Sequence, residues 1–189
     1  MLGADADLTE FATNRKKTTE ANLDASVYEL IPDTGMRLSE AAGLLWDDIV
    51  LSGDVPHVHV RPNAIRRLKT ASSERVLPLT GNSLWAVQRA LEHRNAKSVV
   101  YRYVSDGQLS ANSASAALHQ WLQNTVNGAL VIRSLRHAMR DRLRSIECPA
   151  DLIDHIGGWS RQTIGDRYGL GYSLDAKNKW LKLCTEGVD

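Results

Sequence analysis

Residues 49–79 read IVLSGDVPHVHVRPNAIRRLKTASSERVLPL, and the change of period inside this stretch decides the fold class. Ile49-Val50-Leu51 is a short apolar run, His57-Val58-His59-Val60 alternates polar with apolar, and Val76-Leu77 is a third apolar pair. Alternation puts successive side chains on opposite faces of a strand, while Gly53, Pro56, Pro62 and Pro78 punctuate the runs where no helix could continue. The stretch predicts three short strands of a small antiparallel sheet, with Lys69 to Ser73 as a loop between strands.

On either side the period is helical. Leu23, Val27, Leu30 and Ile31 predict a helix over Ala21 to Leu30, broken by Pro32 and Gly35, and a short helix follows from about Leu38 to Leu45. Beyond Gly81, Leu84, Val87 and Leu91 mark one helix, and Ala114, Ala117, Leu118, Trp121 and Leu122 mark another, joined by the Ser/Gly-containing segment Ser105 to Ser110. Leu135 to Ile146 predicts an arginine-rich helix, and Pro149 opens one that stops at Gly157-Gly158. Ser173 caps a last helix with Ala176, Trp180, Leu181 and Cys184 on one face. The expected fold is α+β, mainly helical with a small antiparallel sheet. Residues 1–19 read as a polar tail or linker, 20–172 as the main domain and 173–189 as a C-terminal helix. The apolar face of that helix, left at the end of the chain, predicts docking on a neighbouring protomer.

With 189 residues, 43% of them apolar, the chain can bury one ordinary core. No stretch approaches the roughly 18 uninterrupted apolar residues of a membrane span, which excludes a transmembrane protein. Met1 to Lys17 is too polar for a secretory signal. Cys148 and Cys184 have no CxxC spacing, which fits a reducing compartment and an intracellular protein. The formal net charge is only +1, yet residues 61–75 and 133–144 carry +4 each, leaving the other 162 residues at −7. Such separation either focuses a polyanion onto one face or forms two solvated, salt-bridged surfaces.

Three segments carry chemistry. Thr34-Gly35-Met36-Arg37-Leu38-Ser39-Glu40 sets an arginine after a glycine turn, with an acid one helical turn on. Ser134-Leu135-Arg136-His137 opens the arginine-rich helix. Gly158-Trp159-Ser160 precedes Asp166-Arg167-Tyr168-Gly169 and places a tyrosine nine positions after a tryptophan. Each is unremarkable alone. In this order, with Lys69 in a loop before Arg75-Val76-Leu77-Pro78-Leu79, they resemble the catalytic domain of the tyrosine recombinase (phage integrase) family over roughly Ala21 to Leu183.

The resemblance implies the DNA breaking-rejoining fold and a site-specific recombinase acting on double-stranded DNA. Arg37, Lys69, Arg136 and Trp159 would be catalytic, with Tyr168 the nucleophile and Glu40, Arg133 and His137 in support. Paired guanidinium groups suit the nonbridging oxygens of a phosphodiester, and Trp159 can donate its indole N–H. Tyr168, whose ordinary pKa is near 10, needs nearby positive charge, and Lys69 is a suitable acid for the leaving 5′-oxygen. The product would be a 3′-phosphotyrosine with a free 5′-hydroxyl, formed without metal, ATP or other cofactor. Further DNA-backbone contacts are expected from Arg66, Arg67 and Arg140, with Arg142 and Arg144 either binding backbone or solvated.

Arg133 is the one departure from the pattern, standing where the family has a histidine that assists proton transfer or phosphate binding. Arginine keeps charge and donors but accepts no proton at neutral pH. Also implied are other protomers on DNA, a core-binding domain ahead of this one, and a prokaryotic, DNA-associated cytoplasmic location. A topoisomerase IB-like relaxing enzyme and a noncatalytic DNA-binding module of the same fold are the alternatives. Elsewhere, His57 and His59 share a strand face without a third ligand nearby, so a metal site is not expected. Cys148 reads as a small apolar residue, and His93, His119 and His155 as surface or capping groups.

Overall fold

A computed structural model describes residues 26–70, 73–94, 96–125, 131–159 and 171–186. Seven helices among them are α1 (Ser26–Thr34), α2 (Leu38–Ala42), α3 (Gly81–Glu92), α4 (Ala111–Thr125), α5 (Ile132–Ser145), α6 (Ala150–Gly157) and α7 (Leu174–Glu186). Strands β1 (Ile49–Val50), β2 (His57–Val60) and β3 (Arg75–Pro78) form an antiparallel sheet in the order β1-β2-β3, with Ile49 opposite Val58 and Val58 opposite Leu77. The alternation read from the sequence is realised in β2, where Val58 and Val60 are fully buried while His57 and His59 are half-exposed.

Helix α1 runs past the expected break. Pro32 lies inside it, and the chain turns only at Gly35, where φ is +65° and a Cβ would stand 2.0 Å from Met139 Cε. That turn delivers Arg37 to the start of α2. Asp33 near the end of α1 accepts from the backbone N–H groups of Asn82 at 2.9 Å and Ser83 at 3.2 Å, a carboxylate cap on the first turn of α3 supplied from another helix. The core gathers Leu30, Ile31 and Met36 with Leu118 and Leu122 of α4, Met139 and Leu143 of α5, and Leu152 and Ile156 of α6.

The sequence reading missed a second sheet. Segment Ser105 to Ser110 is not a plain connection: Val104–Ser105 (β4) pairs with Gln108–Leu109 (β5). The signal was the dipeptide Asp106-Gly107, whose φ values of 51° and 72° are the two positive angles a tight hairpin requires. Helix α5 also starts three residues earlier than expected, which puts Arg133 in its first turn.

Helix α7 lies against its own domain in the single chain. Ser173 does cap it, accepting the Ala176 N–H at 3.1 Å. Its apolar face, however, packs on its own domain: Leu181 is fully buried, and Trp180 and Cys184 lie against the core. Within the single chain that face is covered in part by its own domain. Lys177, 8% exposed, donates to the Val76 carbonyl at 3.1 Å and ties α7 to β3. Residues 1–19 and the first five residues of the expected Ala21–Leu30 helix lie outside the described residues. No helix among the described residues is long and apolar enough to cross a membrane.

Candidate active site

The C-terminal end of α6 organises the site. A helix leaves its last carbonyls without intrahelical partners and carries partial negative charge there. Gly158, with φ +59°, closes α6 in a Schellman arrangement, its N–H donating to His155 O and the Trp159 N–H to Asp154 O. Three successive carbonyls then accept from three arginines. Arg75 Nε donates to Ile156 O at 2.8 Å, Arg136 Nη2 to Gly157 O, and Arg37 Nη2 to Gly158 O at 3.1 Å. Residues more than a hundred positions apart in the chain thus share one helix end.

Glu40 counters these charges. It is 2% exposed and binds Arg37 Nη1 at 2.6 Å, the Arg37 backbone N–H at 2.8 Å and Arg75 Nη2 at 2.9 Å. Burial opposes its ionisation, but the charge and hydrogen bond of Arg75, joined by the bonds from Arg37, outweigh it and hold the carboxyl below its ordinary value. Arg75 is buried too, and desolvation pulls its pKa down against the pull of Glu40. Ser73, on the loop after Lys69, accepts from Arg37 Nη1 at 2.9 Å and gives its carbonyl to Arg75 Nη1 at 2.7 Å. The sequence gives Arg75 only as the start of a motif and Ser73 only as the end of a loop. The structure makes them the braces of Arg37.

Arg37, Lys69, Arg133, Arg136, His137 and Trp159 all line one cavity of about 620 Å³, with Ile31, Met36 and Leu38 on an apolar wall. Arg136 is the least satisfied member. Its Nη1 is buried with no hydrogen-bond partner, and its pKa falls to about 10 through burial first and then the charges of Arg37 and Arg75. It remains cationic at neutral pH, with Glu40 offsetting only part of the surrounding positive charge, and an anion in the cavity would satisfy its free donor. Its guanidinium lies 4.6 Å from the centroid of the Trp159 ring.

Trp159 is held by a close backbone. A Cβ on Gly157 would stand 2.0 Å from the ring atom Cε3, so only glycine lets the indole lie against this turn. Gly157→Ala is expected to force the ring away from Arg136 while the domain still folds. Circular dichroism and the indole N–H resonance of Trp159 check both halves.

Sequence-predicted site residues divide cleanly. The structure brings Arg37, Glu40, Lys69, Arg133, Arg136, His137 and Trp159 together, and Tyr168 lies outside the described residues. Arg67 is exposed, as a backbone contact requires. Arg66 is a correction: it is 4% exposed, and its guanidinium donates to the carbonyls of Glu40 and Arg61. Packed against Gly43, it supports α2 from within. Arg140 is engaged by Asp154 at 3.1 Å, and Arg142 by Pro32 O and Asp33. His57 Nδ1 lies 2.8 Å from Val55 O, and among the described residues no group of three His, Cys, Asp or Glu is placed to hold a metal. Cys148 is buried, with its thiol pushed up to about 12 mainly by burial, consistent with a packing residue.

Comparison with known proteins supplies the family. The model of the phage integrase family matches residues 5–169. The chain belongs to the phage integrase family. Tyrosine recombinase XerC of Actinobacillus pleuropneumoniae serotype 7 (strain AP76) is 28% identical over 134 residues, covering 68% of this chain and 40% of that protein. Tyrosine recombinase XerC of Neisseria meningitidis serogroup C / serotype 2a (strain ATCC 700532 / DSM 15464 / FAM18) is 29% identical over 140 residues, covering 70% and 43%. This phage integrase family domain therefore spans about two-fifths of those relatives. The fold is that of the Tn1549 transposon integrase. Its complex with transposon right end DNA superposes with a TM-score of 0.54 at 19% identity, and a complex with circular intermediate DNA with 0.55 at 19%. Each match covers 84% of this chain and 57% of that one.

Proposed function

We propose that this chain is the catalytic domain of a site-specific recombinase that cleaves and rejoins double-stranded DNA through a 3′-phosphotyrosine link to Tyr168. The observation that carries the reading is the unpaired buried Nη1 of Arg136 in a cavity shared with Arg37, Lys69 and Trp159. A phosphodiester satisfies that donor and adds negative charge where three cations share one carboxylate. Tyr168 oxygen attacks phosphorus, the bond to the 5′-oxygen breaks, and Lys69 protonates the departing oxygen. Among the described lining residues His137 has the acceptor nitrogen suited to the phenol proton, while Arg133, whose guanidinium offers only donors, serves as a further cation. No metal or ATP enters this sequence of steps.

Partners on this reading are DNA, reached also by Arg67, together with further protomers and a core-binding domain, in the cytoplasm of a prokaryote carrying a mobile element. The integrases of similar fold were captured on transposon-end and circular-intermediate DNA, which supports the choice of partner. A nicked suicide substrate tests the reading. The wild-type domain should leave an SDS-resistant protein–DNA adduct, whereas DNA binding with no adduct would make it a noncatalytic module.

Lys69 has its own test. A 5′-bridging phosphorothioate releases a thiolate that needs no proton, so it should restore cleavage by Lys69→Ala and do little for Arg37→Ala, where loss of a preorganised donor costs on the order of 100- to 1000-fold. Equal rescue of both variants would remove Lys69 from the acid role.

A further inference from the structure

Arg140 stands one helical turn beyond Arg136 on α5. Its guanidinium lies 4.8 Å from the Trp159 ring centroid, and its Nη2 donates to Asp154 Oδ1 at 3.1 Å. Its Nε is buried without a partner. Asp154 reaches Trp159 a second way, because its backbone carbonyl accepts the Trp159 N–H at 3.0 Å. One residue of α6 therefore governs both the backbone of Trp159 and, through Arg140, the surroundings of its ring. The two side chains are 27% and 13% exposed, so the ion pair sits where water screens it only in part.

We propose that Asp154 and Arg140 are positioning residues for Trp159, acting through the indole and not through contact with DNA. The proposal rests on the recombinase reading above. A guanidinium fixed by a carboxylate presents a planar, cationic wall, and tryptophan is the aromatic side chain that attracts it most strongly. With Arg136 against the same ring, the indole keeps one placement at the edge of the cavity. Unpinned, it has room to move, and a displacement of roughly 1 Å at a reacting centre costs up to about 100-fold in rate.

Single-turnover cleavage of a nicked duplex, salt titration of DNA binding and the indole N–H resonance of Trp159 test this together. Arg140→Ala and Asp154→Ala should each slow adduct formation about 10- to 100-fold, shift or broaden the Trp159 indole resonance and leave the salt slope of binding unchanged. Neither should slow Trp159→Ala further, and Arg140→Lys should not recover the rate. The proposal is overturned if Arg140→Ala flattens the slope of log affinity against log salt by about one unit, the mark of a lost phosphate contact. It is overturned equally if the defects add in the Trp159→Ala background or the indole resonance stays put. A wild-type domain that forms no adduct would refute the recombinase reading instead, while the resonance still reports whether Asp154 and Arg140 hold the ring.

Discussion

Tyr168→Phe should bind nicked DNA as tightly as the wild type and yield no SDS-resistant adduct. The substitution removes one oxygen and leaves the guanidinium groups that hold the phosphate. Affinity, which depends on charge, should therefore survive. Rate should not: loss of a covalent nucleophile whose partners act as a unit costs at least about 10⁴-fold. Gel-shift affinity and denaturing-gel adduct yield, measured on one preparation, separate the two quantities. An adduct of undiminished yield in this variant would mean that a different side chain attacks.

Glu40→Gln should be the most damaging change to stability. It leaves Arg75, 8% exposed, beside a neutral partner in the interior, and breaking a buried pair costs about 3 to 5 kcal/mol. For a domain of this size that lowers the melting temperature by roughly 10 °C. Cleavage should fall as well, on the order of 100-fold, because Arg37 loses the carboxylate that aims it. The pH dependence has a definite sign. The folded-state pKa of Glu40 lies below its ordinary 4.5, so its stabilisation is fully present above the ordinary value and fades as pH falls through the lowered one. The gap between melting curves of wild type and Glu40→Gln should therefore begin to close below pH 4.5 and vanish only below the lowered folded-state value, and a gap that persists undiminished in acid would show that Glu40 does not stabilise the domain as a carboxylate.

Much of this was legible because each clue was local. Val58 and Val60 announced a strand by alternation, and Gly157-Gly158 announced a helix end by chain geometry, so strands and helix stops appeared close to where they were expected. The assignment of Arg37, Lys69, Arg136 and Trp159 to one site came from the order of motifs, and the cavity gathers them. What sequence could not separate was arginine from arginine. Arg66 and Arg67 are adjacent and chemically identical, yet one packs against Gly43 and the other faces solvent; the difference lies in which side of an irregular loop meets α2, and no period encodes it. Nor does composition show that Arg75 fills the gap between Glu40 and Ile156 O. The apolar face of α7 poses a related problem: such a face says that it will be covered, not by what.

The collection of Arg75, Arg37 and Arg136 by the carbonyls of Ile156, Gly158 and Gly157 makes the spacing of the cations a property of peptide geometry. Side-chain receptors could be lengthened or shortened by substitution, but a row of carbonyls has a fixed pitch. The α6 terminus is thus a ruler against which three distant parts of the chain are set. Adding or removing one residue within the last turn of α6 would turn the row by about 100° and dismantle the whole set at once.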